Sequence, residues 1–283
     1  MCSTIQKHRV SSCDTSTAVS KKEQPDWISE TINGGSLPPV DLHTGTNGWA
    51  SPPGDVFLLR SKSYLTNRQK LPAGEYLLSP VGMDWLRSST KLNNVLGRSD
   101  NRVSLALRKA QANNSSIKSF VFAVNLQVPR KEQLSAVFYF ATEEPLQPGS
   151  LLHQFVHGDD AFRNQRFKIV NRIVKGPWMV KKAVGSYAVC LLGKSLTCNY
   201  HRGSNYLEID VDIGSSKLAS AISHLAVGYV TSVSIDMGFV VEAQTEDELP
   251  ERLIGAIRVC QIEIPSASLV AEGTSKVDDG EDG

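Results

Sequence analysis

One stretch of the chain alternates apolar and acidic residues without interruption. From Leu207 to Ile213, Leu207, Ile209, Val211 and Ile213 fall on one face, and Glu208, Asp210 and Asp212 on the other. A period of two predicts a β-strand half-buried against a core. The three carboxylates then stand in one row, each roughly 7 Å from the next. Like charges in a row repel, so water, a cation or basic side chains must face them. Gly214-Ser215-Ser216 ends the strand and offers an N-cap. Leu218, Ile222, Leu225 and Tyr229 follow on one helical stripe. Val233, Ile235, Met237, Phe239 and Val241 then alternate as a second strand.

The same reading extends along the chain. Phe120, Phe122, Val124, Leu126 and Val128 alternate as a strand, which Pro129-Arg130-Lys131 turns. Ala136–Ala141 is continuously apolar, as a strand buried on both faces would be. Val56–Leu59, Leu77–Asp84, Phe167–Val174, Trp178–Val184, Tyr187–Leu192, Leu196–Tyr200 and Leu253–Ile264 read as further strands. Val103–Ala112 and Ser150–Val156 read as helices. Consecutive strands with about three helices predict an α+β fold, a large mostly antiparallel curved β-sheet with the helices packed on it. Residues 1–48 lack periodicity and are expected to be disordered, with Trp27 and Ile28 as a short docking point. A single domain is expected over 49–265, followed by a disordered acidic tail at 266–283.

Composition changes the picture mainly through charge. The net charge of +1 conceals 11 basic against 3 acidic residues in 60–118 and 4 against 15 in 206–283. Such asymmetry has two outlets: internal pairing, or a basic face left for an anionic lipid or other polyanion. No apolar run reaches the roughly 18–20 residues of a membrane span, and no signal-peptide core opens the chain. A cytoplasmic protein, peripheral at membranes, is expected. Its five cysteines would stay reduced, with Cys2 and Cys13 as weak acylation candidates.

The densest basic segment is Arg163, Arg166, Lys168, Arg172, Lys175, Lys181 and Lys182, interleaved with Phe162, Phe167 and Trp178. Cations beside aromatic rings suit a phosphorylated lipid headgroup. Pairing with the row of Glu208, Asp210 and Asp212 is the structural alternative, and stacking on single-stranded nucleic acid is set aside. His153 and His157 have helical metal spacing but no identifiable further ligands. Asp159 or Asp160 reads better as a cap pairing with Arg163. Cys198, His201 and Asp210 lie in one hairpin, and a nucleophile site there depends on which faces they share. No metal, cofactor or catalytic set is therefore assigned.

Four blocks carry a family resemblance. They are Gly158–Lys168, Gly176–Lys181, Asn205–Ser216, and Glu248-Leu249-Pro250-Glu251 with Leu253-Ile254-Gly255. In this order they closely resemble the C-terminal domain of the plant Enhanced Disease Resistance 2 proteins, over about Gly48 to Ile264. The resemblance implies membrane-associated, non-enzymatic negative regulators of plant defence and cell death. In the longer relatives the domain follows pleckstrin-homology and START domains, so this chain looks like a stand-alone version. The expected function is a non-catalytic module binding lipid or anionic membrane through Arg163, Arg166, Lys168, Arg172, Lys175, Trp178, Lys181 and Lys182. An apolar interior admitting an acyl chain or sterol is expected by analogy with the START neighbour. A protein-interaction module is the alternative, and a hydrolase or transferase comes third.

Overall fold

Several strands of this chain are apolar on both faces, so layers must cover both sides of the sheet they form. The computed structural model describes residues 26–114 and 117–271. It opens with α1 (Asp26–Asn33), β1 (Gly48–Ala50), β2 (Leu58–Arg60), α2 (Tyr64–Asn67), β3 (Lys70–Pro72) and β4 (Ser79–Ser88). Next come α3 (Arg102–Asn113), β5 (Phe120–Val128), β6 (Gln133–Thr142), α4 (Leu151–His157) and α5 (Asp160–Arg166). The middle continues with β7 (Phe167–Lys175), α6 (Trp178–Val184), β8 (Tyr187–Leu191), α7 (Leu192–Ser195) and β9 (Thr197–Arg202). It closes with β10 (Tyr206–Asp212), α8 (Lys217–Gly228), β11 (Ser234–Val241), β12 (Leu253–Cys260) and β13 (Ser268–Leu269).

The fold is α+β, but the strands divide where one large curved sheet was expected. One sheet has the order β1-β12-β11-β7-β8, and the other β13-β4-β6-β5-β10-β9. Pairing is antiparallel except for β10 on β5 and β13 on β4. The two sheets share a core in which Phe122, Phe138 and Phe140 meet Phe167 and Phe239, with ring centroids 5.7 to 6.4 Å apart. On its far side the six-stranded sheet packs Val121, Ala123, Val137 and Tyr139 under α1 and α3. Both faces of β6 are thus covered, which explains its unbroken apolar run. The far side of the other sheet carries Leu59 of the small β2–β3 ladder and Phe57 just before it.

Among the described residues there are eight α-helices, not three, because helices of four to eight residues show too few turns to declare a period. One of them, α6, was expected to be a strand. Pro177 precedes it, Gly185 at φ 88° ends it, and its inward residues Val180 and Val184 stand four apart. The segment 26–48, expected to be disordered, is ordered: Trp27 and Ile28 are buried against α3 and the six-stranded sheet. The expected acidic tail likewise begins later, since residues 268–269 pair with β4. Cys2, Cys13 and the acidic residues beyond 271 lie outside the described residues.

The strand–helix–strand unit is present, yet β10 and β11 belong to different sheets. The helix between them, α8, therefore crosses from one sheet to the other. Ser216 caps it by accepting a hydrogen bond from the Ala219 amide at 3.3 Å. The stripe expected to face inward is only partly correct. Leu225 and Tyr229 pack toward Val180, but Leu218 is 72% exposed, and Ser223, Ala226 and Val227 face the interior. Apolar residues occur nearly all round this helix, so spacing alone cannot choose its buried face.

The carboxylate row is buried, and the basic segment 163–182 does not face it. The Glu208 carboxylate accepts from the Val95 and Leu96 amides at 2.7 and 2.6 Å. Asp210 accepts from the Asn94 amide at 3.0 Å and the Asn125 side chain at 2.9 Å, and holds His201 Nε2 at 2.8 Å. Only Asp212 meets a lysine, Lys91, at 2.5 Å. The three amides belong to a tight turn at 94–97, where Asn94 takes a left-handed conformation at φ 48°. Successive amides turned one way form a ready-made anion nest, here filled by the chain's own carboxylates.

The matching charge in the other sheet is Asp236, fully buried on β11 and directly opposite Arg258 and Arg172. Arg258 grips it with two bonds of 2.5 and 2.9 Å, and Arg172 with two of 3.0 and 2.8 Å. Asp236→Ala strands two cations, one of them buried, and is expected to cost about 3–5 kcal/mol, measured as the fall in unfolding free energy in urea.

Burial, with Asp210 beside it, pushes the Glu208 carboxyl up to about 8 from an ordinary 4.5. The folded protein then holds a proton that the unfolded chain releases at lower pH. Stability from this group is fully present below pH 4.5 and is lost as the pH rises through about 8. The urea midpoint of the native protein should fall across that window, and in Glu208→Gln the fall should be smaller.

Candidate functional site

Four of the eight basic and aromatic candidates are committed to the fold. Arg163 donates to the Phe155 and Val156 carbonyls at the end of α4, at 3.0 and 2.8 Å, and pairs with Asp160 at 2.7 Å. Arg166 pairs with Glu248 at 2.8 Å and donates to the Glu242 carbonyl. Lys168 is buried between Glu251 and Glu242, and Arg60 completes that cluster with Glu242 at 2.9 Å. Burial lowers the Lys168 ammonium despite these partners. Arg172 is taken by Asp236. Asp160 thus pairs Arg163, and acids of 236–251 pair the other three, within the fold.

Trp178, Lys181 and Lys182 remain, with Lys175 bonded only to the neutral Gln261 at 3.0 Å. Trp178 is 70% exposed at the start of α6, and Lys182 Nζ lies 6.0 Å from its ring centroid. Three further cations lie on α8, which packs on α6, or on the hairpin turn bonded to it, none of them proposed from sequence as a ligand. Arg130 and Lys131 form the exposed tip of the β5–β6 hairpin, and Lys217 starts α8. His224 Nε2 on α8 lies 2.8 Å from the Pro129 carbonyl, which fastens the helix to that hairpin turn. Among the described residues, Arg130, Lys131, Lys181, Lys182 and Lys217 have no carboxylate within ion-pair distance, and neighbouring Glu132 is taken up by Arg87. A turn-forming Pro-Arg-Lys carried the signal, and it lies beside α8, which in turn packs on α6.

Beneath α6 and α8, between the two sheets, lies a cavity of about 160 Å³. Its walls include Val180 and Val184 of α6, Ala226 and Val227 of α8, and Met83 and Met237 from the sheets. None of the lining side chains is charged, and one, Ser223, carries a hydroxyl.

The remaining candidates resolve by geometry. Register pairs Glu208 with His201 and Val211 with Cys198. His201 thus shares the carboxylate face, while Cys198 packs on the core and burial pushes its thiol up to about 12. The two do not form a nucleophile–base pair. Asp159 caps α5, accepting from the Phe162 amide at 2.7 Å. The His153 and His157 rings stand 4.3 Å apart, and Arg202 Nη2 lies 2.8 Å from His157 Nδ1. Burial first, then Arg202, lowers the His157 imidazole. Among the described residues no three His, Cys, Asp or Glu side chains gather where a metal ion could be held. Nor is any described helix long and apolar enough to cross a membrane.

Comparison with known proteins accounts for most of the chain. The family model described as "Protein ENHANCED DISEASE RESISTANCE 2, C-terminal" matches residues 49–263. The "Protein ENHANCED DISEASE RESISTANCE 2-like" of Arabidopsis thaliana is 42% identical over 255 residues, which is 90% of this chain and 34% of that protein. The chain thus spans about a third of the length of this curated relative and matches its C-terminal part. No solved structure matches. The two-sheet fold, with α8 bridging its halves, is therefore that of a member of the Enhanced Disease Resistance 2 C-terminal family.

Proposed function

We propose that this chain is a non-catalytic regulatory module that docks on anionic membrane surfaces through α6, the β5–β6 turn and the start of α8. The observation that carries this reading is the composition of that surface. These elements carry the exposed Trp178 and Leu218 together with five cations that no acid among the described residues neutralises. Indole rings favour the headgroup level of a bilayer, and each surface lysine or arginine adds about 1 kcal/mol of attraction to anionic lipid. The name of the Arabidopsis relative places that protein in disease resistance, and a regulatory role in the same process is part of the proposal. The phospholipid-binding residues in this reading are Trp178, Lys181, Lys182, Arg130, Lys131 and Lys217, with Lys175 at the edge.

Flotation with vesicles of phosphatidylcholine and phosphatidylserine tests it. Each lysine removed should weaken retention about fivefold, so Lys181→Ala with Lys182→Ala should lose most of it at low salt. Trp178→Ala should weaken it further. Arg172→Ala should leave retention intact while lowering stability. Retention indifferent to salt and to the lysine changes rejects the reading.

A further inference from the structure

We infer that the cavity beneath α6 and α8 is a binding site for the end of a single aliphatic chain carried by an anionic amphiphile. The inference rests on the membrane-docking reading for the route of entry, but the site itself stands on the lining and the volume. A dry apolar cavity of about 150 Å³ takes up benzene or xenon in preference to water. The present one, at about 160 Å³ and with one hydroxyl on its wall, belongs to the same class. At roughly 30 Å³ per water-sized group it holds about five methylenes. That is enough for the tail of one chain and too little for a sterol nucleus.

The surroundings select the other end of the ligand. Val128 lines the cavity, and the chain runs straight on through Pro129 to the exposed Arg130 and Lys131. Val180 and Val184 line it too, with Lys181 and Lys182 between them in sequence. A chain seated among Met83, Met237, Ala226 and Val227 therefore leaves its headgroup near unneutralised cations. Those cations suit a carboxylate or a phosphate. The cover is also suited to admit a chain: of the twelve residues of α8 only Val227 is buried, and no charged side chain beyond Lys217 marks the helix.

Met83 and Met237 sit in the wall and Met179 on the covering helix, so methyl-labelled methionine reports on the site directly. Titrating the full chain with dodecanoate should move the Met83 and Met237 methyl resonances to saturation. From butanoate to hexanoate, affinity should rise about fourfold per methylene, and it should level off once about five methylenes are inside. Ala226→Phe, which fills the space from the cover, should weaken binding at least tenfold with its circular dichroism unchanged. If that variant fails to fold, the native titration alone decides the matter.

A second arm separates the sources of the chain. Phosphatidylserine vesicles containing a stearoyl phospholipid spin-labelled near its terminal methyl should broaden the same two resonances if bilayer lipid supplies the chain. A response to dodecanoate alone assigns a free fatty acid. Silence of Met83 and Met237 in both arms overturns the site, even where flotation still succeeds. A saturating response without flotation keeps the site and rejects the docking reading instead.

Discussion

A carboxylate buried in the middle of a sheet must find its counter-charge or its donors within reach of that sheet, and this requirement distributes the charge of the whole molecule. In the five-stranded sheet Asp236 is held by arginines on both neighbouring strands. In the six-stranded sheet no basic strand lies beside Glu208 and Asp210, so a turn bends to supply backbone amides instead. Arg60, Arg166 and Lys168 are drawn in by Glu242, Glu248 and Glu251 in the same way. Among the described residues, the cations left unpaired on α6, the β5–β6 turn and the start of α8 come from three separate elements. The function proposed here is thus the residue of an electrostatic constraint on folding.

The crossing of α8 is the second organising feature. Because β10 and β11 lie in opposite sheets, the connection between them has to bridge the open end of the sandwich. A helix without charges past its first residue can rest over an apolar space, and α8 does so together with α6. The cavity follows from this arrangement: two slabs packed through phenylalanines at their centre, and covered at one end by small residues such as Ala226 and Val227. The hydrogen-bond reach from His224 to Pro129 ties the cover to the sheet it overhangs.

How much of this was legible in the sequence depends on the range of the interaction involved. Alternation located β5 and β10, and the unbroken run at Ala136–Ala141 correctly implied cover on both faces of β6. Caps at Ser150, Asp159 and Ser216 were readable because they are satisfied within four residues. Pairing partners far apart in sequence were not. Nothing local tells Asp236 from Glu208, yet one is answered by arginines and the other by the amides of Val95 and Leu96. The basic run at 163–182 looked like one surface, but it divides into Lys168, buried on β7 against Glu251, and Lys181 and Lys182 on helix α6. Helix α6 misled for the same reason: Val180 and Val184 fit a strand or a helix until Pro177 and Gly185 are weighed.

The parallel contact between β5 and β10 sets an order of assembly. The three strands β4, β6 and β5, in that spatial order, can form as soon as residues 79–142 exist, and every pairing among them is antiparallel. Its β5 edge, apolar on both faces, must then wait for a partner more than sixty residues further along. An open apolar edge is a template for the wrong strand, including one from another molecule. Slow synthesis of the stretch between them prolongs that exposure, so the aggregation risk of this domain is greatest before its acidic strand arrives.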